Sequence, residues 1–423
     1  MKKLVYLLIC LFLLSAGFVA CSNDTDDPPE QPSSHQNETP IDSASVEKDT
    51  TEVDSTEVPT DTIIVEDDTT EVFFEVDGIY YKKTSKGEVS VIRGDKQYSG
   101  DVVIPASITV EGVQYAVTAI GQKAFEFCDK LTSIVIPEGV TSIGNEAFVT
   151  CPFLATVEFP VSLREIGQDA FYASSRLRSV QLPEGLERIG SGVFHYSGME
   201  EIVIPSTVSK IDGGFISGAP QISEELQAVE VTSIRVADGN PYYYSTENHT
   251  EIIETATGRL VQGTNKTLIP EEVTAIGPYA FFGCKNMTSL TLSKSFKNLE
   301  DWALLGIQGL ATLYCYPDEP PAISRLSFGG TANDERKLRK ACTLYIPKGC
   351  KDAYVDAGWT GFKEYVEFDP NNMGDPTGFG LQTVEATGEN TFFSADGKQL
   401  QSPQRGLNIV RQKNGTSVKV VVK

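Results

Sequence analysis

The sequence predicts an α/β repeat solenoid, a stack of similar coils around one continuous core, and three observations predict it. The phrase Ile143-Gly144-Asn145-Glu146-Ala147-Phe148 returns 23 residues later as Ile166-Gly167-Gln168-Asp169-Ala170-Phe171 and again as Ile189-Gly190-Ser191-Gly192-Val193-Phe194, with an earlier copy from Ile120 and a later one from Ile276. Copies follow a short apolar alternation closed by proline, as in Leu131, Ile134, Ile136-Pro137, then Leu154, Val157, Phe159-Pro160, then Leu177, Val180, Leu182-Pro183. The third residue beyond the phrase's last position is small: Cys128, Cys151, Ser174, Ser197 and Cys284. A fixed period of this length marks units that cannot bury an apolar face alone and must stack.

From the N-terminus, Lys2-Lys3, the apolar run Leu4 to Leu14 and Ser15-Ala16-Gly17 read as an export signal over residues 1–20. Phe18-Val19-Ala20-Cys21 resembles a bacterial lipobox, with Phe18 where Leu is usual. It makes Cys21 the expected lipidation site, so that acyl chains and not a helix hold the membrane. Residues 21–71 are expected to be a disordered acidic stalk, because residues 22–70 carry nine Asp and six Glu against one Lys, and no aromatics. Such a segment buries too little to offset its chain entropy, and like charges extend it. Net charge over the whole chain is −23. No basic footprint stands out, so nucleic acid is not an expected partner.

Residues 72–116 are expected to form an N-terminal β cap, with hairpins around Asp77-Gly78 and Lys86-Gly87 and further strands at Val102-Val103-Ile104-Pro105 and Tyr115-Ala116-Val117. The solenoid is expected over residues 117–369. In one unit, Leu131, Ile134 and Ile136 point inward from a short strand, and Pro137 ends it for lack of a donor. Gly144 suits a bend of positive φ. Ala147 and Phe148 are expected in a short helical turn, Phe148 plugging the core. At Ile211 the phrase slips, with Asp212 in place of Gly, and 65 residues pass before Ile276. Residues 220–267 are expected to be a variant repeat, with a strand at Ser233-Ile234-Arg235-Val236 and a hairpin of Glu251–Glu254 and Arg259-Leu260-Val261. A C-terminal cap is expected at 342–369, plugged by Tyr354, Trp359, Phe362 and Val366. Residues 370–423 read as a linker and small β tail, with turns at Asp396-Gly397 and Asn414-Gly415.

Catalytic chemistry is not expected, nor a cofactor or metal site. The histidines are His35, His195 and His249. His195 follows Phe194 in a variable slot and is expected at the surface or half-buried. Interchange of Cys with Ser in one slot argues for a small packed residue and not a reactive thiol. An exported protein permits disulfides, so Cys128 with Cys151, or one pair among Cys315, Cys342 and Cys350, remains open. Glu200-Glu201 and Glu224-Glu225 read as solvated faces.

Binding is expected on the outer face of the repeat sheet, where residues alternate with the buried ones: Ser133 and Val135, Thr156 and Glu158, Ser179 and Gln181, Glu201 and Val203, Ser289 and Thr291. Tyr242-Tyr243-Tyr244 is a further candidate, since exposed tyrosines give large contact area at low entropy cost. The same tyrosines equally suit the packed core of the variant repeat.

The pattern Ile-Gly-x-x-Ala-Phe-x-x-Cys after Leu-x-x-Ile-x-Ile-Pro resembles the BspA-like leucine-rich repeat of bacterial surface proteins, over residues 72–369. The resemblance implies a leucine-rich-repeat-like right-handed coil with one β-strand sheet, and a cell-surface lipoprotein or secreted protein associated with adhesion to host matrix proteins and other bacteria. Ser22-Asn23-Asp24-Thr25-Asp26-Asp27 resembles the signal by which Bacteroidetes place lipoproteins on the outer face of the outer membrane, and Lys398 to Lys423 is similar to their short C-terminal β tails. The expected function is therefore an adhesin, with a protein or glycan ligand on host or neighbouring cells and a membrane held through the lipid. The alternatives are a glycan-binding lipoprotein accessory to polysaccharide uptake, or a purely structural envelope protein.

Overall fold

Up to three lines of backbone hydrogen bonds tie one regular coil to the next, the first of them lapsing at 177–182, where no strand forms. The computed structural model describes residues 71–219 and 228–370 and the strands Thr391–Ser394, Gln399–Leu400, Gly406–Arg411 and Ser417–Val422. The export signal, Cys21, the acidic stalk and Glu224-Glu225 lie outside the described residues. On the first line, repeat strands pair in parallel, Ile134 of Lys130–Val135 standing opposite Val157 of Thr156–Glu158. On the second, Ser142–Ile143, Glu165–Ile166, Arg188–Ile189 and Lys210–Ile211 form a narrow parallel ladder. The third is the Ala-Phe segment, where Phe125 N donates to Ala147 O and Phe148 N to Ala170 O, each at 2.7 Å. The single expected sheet thus has a second ladder beside it. That ladder is two residues wide in each coil, too short for an alternation to reveal it.

The expected short helical turn is instead a pair of tight turns. Glu146 and Thr150 take φ of 56° and 57°, and Asp169 and Ala173 take 53° and 59°. Left-handed residues at both ends turn alternate N–H groups toward the neighbouring coil, whereas a helix would direct them along its own axis. The phrase's glycine also has a different reason from the one expected. A Cβ on Gly144 would meet Gln122 N at 2.6 Å, and one on Gly190 would meet Gln168 N at 2.6 Å. Glycine is required there by the close approach of adjacent coils, and the positive φ falls two residues later.

Leu131, Ile134, Val140, Ile143, Ala147 and Phe148 are fully buried. The phrase's phenylalanines stack as a column, Phe125 to Phe148 at 4.7 Å, Phe148 to Phe171 at 4.8 Å and Phe171 to Phe194 at 5.6 Å. The first two spacings match the ~4.7–4.9 Å between hydrogen-bonded strands. Each coil advances by one strand separation, so identical side chains meet face to face. In the small slot, Cys151 Sγ donates to Phe125 O at 3.1 Å and Ser174 Oγ to Phe148 O at 3.4 Å. Cys and Ser interchange because both are small donors to the same carbonyl. Cys128, Cys151, Cys284, Cys315, Cys342 and Cys350 are all free thiols, so neither open disulfide pairing forms. Burial pushes the Cys128 thiol up to about 11 and that of Cys284 to about 12.

At the N-terminal end, Phe73–Val76, Ile79–Ser85 and Glu88–Ile92 make an antiparallel meander whose last strand pairs in parallel with Val113–Ile120. That strand then pairs with Ser142–Ile143, so the second ladder grows out of the meander. Tyr98 donates to Ile92 O at 2.8 Å and its ring lies 4.5 Å from Phe125, starting the aromatic column.

The column stops at Phe194, in the last copy before the phrase fails at Ile211. Glu251–Glu254 and Arg259–Gly263 form an antiparallel hairpin there. Ile252 and Val261 belong to the core on its N-terminal side, and Ile253 and Leu260 to the core on its C-terminal side. The hairpin is a partition, with alternate side chains serving each core. Past it, Arg259–Gly263 pairs with Ala275–Ile276, which passes the ladder to Asn298–Leu299 and Ala322–Ile323. Helix α1 (Ala332–Ala341) begins at the N-cap Thr331, whose side chain accepts from Asp334 N, and ends with Arg339 and Lys340 in its last turn. Helix α2 (Lys351–Asp356) follows the strand Thr343–Pro347. Tyr354 and Trp359 are fully buried, the phenol donating to Pro317 O at 2.7 Å and the indole to Pro321 O at 2.9 Å. The terminal strands form a separate four-stranded antiparallel sheet.

Candidate binding surface

The outward residues of the repeat strands fall in rows because parallel pairing in register puts equivalent positions side by side. Ser133 stands beside Thr156 and Val135 beside Glu158. Glu201 stands beside Ser233 and Val203 beside Arg235. Ser289 stands beside Thr312 and Thr291 beside Tyr314. The single continuous ladder expected from the sequence is instead three separate sheets, Ser99–Val103 with Lys130–Val135 and Thr156–Glu158, then Glu201–Ile204 with Ser233–Val236, then four strands from Ser289–Leu292 to Glu364–Phe368. Ser179 and Gln181 are exposed, but they lie outside any strand.

The three patches differ in character. In the first, Asp101 stands beside Ser133 and Val103 beside Val135. Ser133 Oγ and Thr132 Oγ1 donate to Asp101 Oδ1 at 2.6 and 2.8 Å, and these bonds hold its carboxyl below the usual range. Val103 is 67% exposed, so this patch sets an apolar spot beside Asp101 and Glu158. The second carries the acid Glu201 and the base Arg235 on neighbouring strands, each opposite a different residue of the other strand. In the third, Thr291, Tyr314, Tyr345 and Val366 share one row, the two tyrosine rings lying 4.5 Å apart with Tyr314 buried and Tyr345 half-buried. Asp101, Arg235, Tyr314 and Tyr345 were not among the residues expected on this face. A signal existed for two of them: Val102-Val103-Ile104-Pro105 and Leu344-Tyr345-Ile346-Pro347 both end as the regular repeat strands do.

The tyrosine cluster divides. Tyr242 is 50% exposed, whereas Tyr243 is buried and its phenol oxygen accepts from Ile211 N at 2.9 Å. Tyr244 is half-buried and donates to Glu272 at 3.4 Å. Tyr243 is therefore a core residue that caps the irregular coil, and Tyr242 alone offers its ring to solvent.

His195 is buried, a correction to its expected place at the surface. Its ring stacks 4.3 Å from Phe282, a residue of the first regular coil after the interruption. Burial pushes the imidazole down to about 3. It is neutral at physiological pH, and its Nε2 meets no hydrogen-bond partner. Near it lies a residue that carried no motif signal. Gln262 is buried, and its Oε1 accepts from Phe215 N at 2.8 Å and Ile216 N at 3.2 Å. Its Nε2 donates to Gly263 O at 2.9 Å and Ala280 O at 3.2 Å. Both ends of the amide are used, and it connects the coil in which the phrase slips with the first resumed one.

Among the described residues no group of His, Cys, Asp and Glu is placed to hold a metal ion. Among them too, no helix is long and apolar enough to cross a membrane.

The family described as BspA type leucine-rich repeat region matches residues 107–223 and 261–334, in six copies. The two matched segments lie on either side of the partition hairpin's first strand. Among solved structures, the chain is similar to the pneumococcal vaccine antigen PcpA, with 14% identity over 70% of this chain and 99% of that one and a TM-score of 0.42. It is similar to a leucine-rich repeat protein from Bacteroides ovatus, with 21% identity over 70% of this chain and 76% of that one and a TM-score of 0.43. A leucine-rich repeat protein from Eubacterium ventriosum has 18% identity over 70% of this chain and 85% of that one, with a TM-score of 0.47. No curated protein matches the chain.

Proposed function

We propose that this chain, a BspA-type leucine-rich repeat protein, is an adhesin that a lipid on Cys21 tethers to the outer face of a Gram-negative outer membrane and that binds a host or microbial protein through its repeat sheet face. One observation carries the reading: parallel pairing sets outward side chains of adjacent strands side by side in three patches of different chemistry. Three dissimilar patches along one array favour an extended protein partner, since protein interfaces combine a few anchors with a polar surround. The lipobox-like Phe18-Val19-Ala20-Cys21 and the acidic stretch after it support the tether. In this reading residues 21–71 are a stalk, 72–116 and 342–369 are caps, and 370–423 are a linker and tail.

The mature full-length chain, applied to immobilised matrix proteins and to a glycan array, tests the ligand. Retention on a protein that falls when Glu158→Lys and Glu201→Lys are combined supports the reading. Retention on glycans alone overturns it and favours the second reading, a glycan-binding surface lipoprotein, for which the exposed Tyr242 is the supporting observation. Cys21→Ser tests the tether separately, and a chain still pelleting with membranes after that change would contradict it.

A further inference from the structure

We infer that the C-terminal cap carries a second binding site, for an acidic glycan, in the cleft between helix α1 and the loop that follows helix α2. The cleft has a volume of about 430 Å³. One wall is the face of α1 bearing Glu335, Arg336, Arg339 and Lys340, and Arg325 stands among its other lining residues. These helix positions recur at the three- and four-residue spacing that places side chains on one face.

The cleft's cations divide into one used internally and three left over. Arg339 donates to Gly358 O at 2.9 Å, to Thr360 O at 3.1 Å and to Glu335 Oε1 at 2.7 Å, and its guanidinium lies 4.4 Å over the Phe328 ring. It fixes the far wall and engages Glu335, the one carboxylate lining the cleft. Arg325, Arg336 and Lys340 are exposed and meet no acid among the described residues. Arg336 and Lys340 lie one helical turn apart, in a chain whose net charge is −23. A concave site that concentrates uncompensated positive charge in an acidic molecule focuses its field on anions.

The lining also separates ligand classes. Apart from the cations, Glu335 and the half-buried Ile323, it is made of small and hydroxyl-bearing residues, among them Ser324, Ala357, Gly358 and Thr360. It presents no exposed aromatic ring, since Trp359 beside it is fully buried. Ile323 is its single large apolar lining residue and no aromatic lines it, so a peptide would lack the aromatic anchors that dominate tight protein interfaces. A glycan with carboxylates or sulfates on successive sugars needs only repeated charge-assisted bonds to guanidinium and ammonium groups, with hydroxyls nearby. The site uses none of the sheet-face residues, so it stands or falls independently of the adhesin reading.

The test is calorimetric titration of the full-length chain with a sulfated uronate-containing octasaccharide, a polygalacturonate octasaccharide, a neutral dextrin of equal length, polyglutamate and duplex DNA. The expected result is binding of one or both acidic glycans and none of the dextrin, weakening at least about tenfold between roughly 50 and 300 mM salt. Arg336→Ala with Lys340→Ala should weaken it by about tenfold or more with an unchanged melting temperature, while Lys86→Ala with Lys96→Ala leaves it unaltered. No binding of either acidic glycan, equal binding by the Arg336→Ala, Lys340→Ala chain, or tighter binding of polyglutamate or DNA would overturn the inference. If Arg336→Ala with Lys340→Ala lowers the melting temperature, Arg325→Ala replaces it as the reading variant under the same criteria.

Discussion

The coils from Ile120 to Ile211 and the interval from Ile211 to Ile276 solve one problem by different means. In the regular coils every neighbour is the same shape, so backbone groups find backbone partners and phenylalanines find phenylalanines. In the interval the neighbouring shapes differ, and side chains take over the backbone's task. Gln262 supplies the acceptor for Phe215 and Ile216 that a following coil would have supplied. Tyr243 serves Ile211 N in the same way. Asn240 Nδ2 donates to Pro205 O and Val208 O, each at 3.0 Å. The difference teaches that a repeat array tolerates a missing phrase when buried polar side chains complete its hydrogen bonds, since an orphaned buried N–H is costly.

Mutations can break either side of this comparison. Phe148→Ala removes a ring stacked on both sides and should cost about 3–5 kcal/mol in chemical denaturation. Only nearest neighbours share the cavity, so the loss should be concentrated in the N-terminal core. Gln262→Leu keeps a similar side-chain volume but strands the buried N–H groups of Phe215 and Ile216, while Ala280 O keeps its bond from Gly263 N, for about 2–4 kcal/mol, and a smaller loss than in Phe148→Ala would still distinguish it from a surface change. A cost under about 0.5 kcal/mol for Gln262→Leu would show that the interval does not depend on the amide.

The third test is a pH series. The folded state holds His195 near 3 against an ordinary 6.5, so below about 6.5 the unfolded chain takes up this proton first. The group's effect is absent at neutral pH and costs stability progressively as pH falls from 6.5 toward 3, up to about tenfold in the folding equilibrium constant per unit. His195→Phe should therefore gain on the wild type as pH falls through that window, measured as the difference between their denaturation midpoints. A difference independent of pH would contradict the burial. The smallest effect is expected for Tyr243→Phe, about 1 kcal/mol, because one hydrogen bond to Ile211 N is lost while the ring stays packed.

The regular coils were legible because a fixed period identifies inward positions without any knowledge of distant contacts. Leu131, Ile134, Ile143 and Phe148 follow from it directly. The role of the glycine did not, since Gly144 is set by the neighbouring coil's backbone and not by its own φ. The side-by-side placement of Ser133 with Thr156 also follows from the period. Its limits show at Tyr243 and His195, whose burial depends on what packs across the interruption. Gln262 was illegible for the same reason: its partners Phe215 and Ile216 lie 47 and 46 residues away with no repeat to relate them.

The most direct test of the account is native-state amide hydrogen exchange on the wild type and Gln262→Leu. Protection at Phe215 and Ile216 should fall by about a hundredfold or more while Phe148 and Phe171 exchange as before, because the first pair depends on the amide and the second on backbone partners in adjacent coils. Unchanged protection at Phe215 and Ile216, or an equal loss along the whole column, would contradict it.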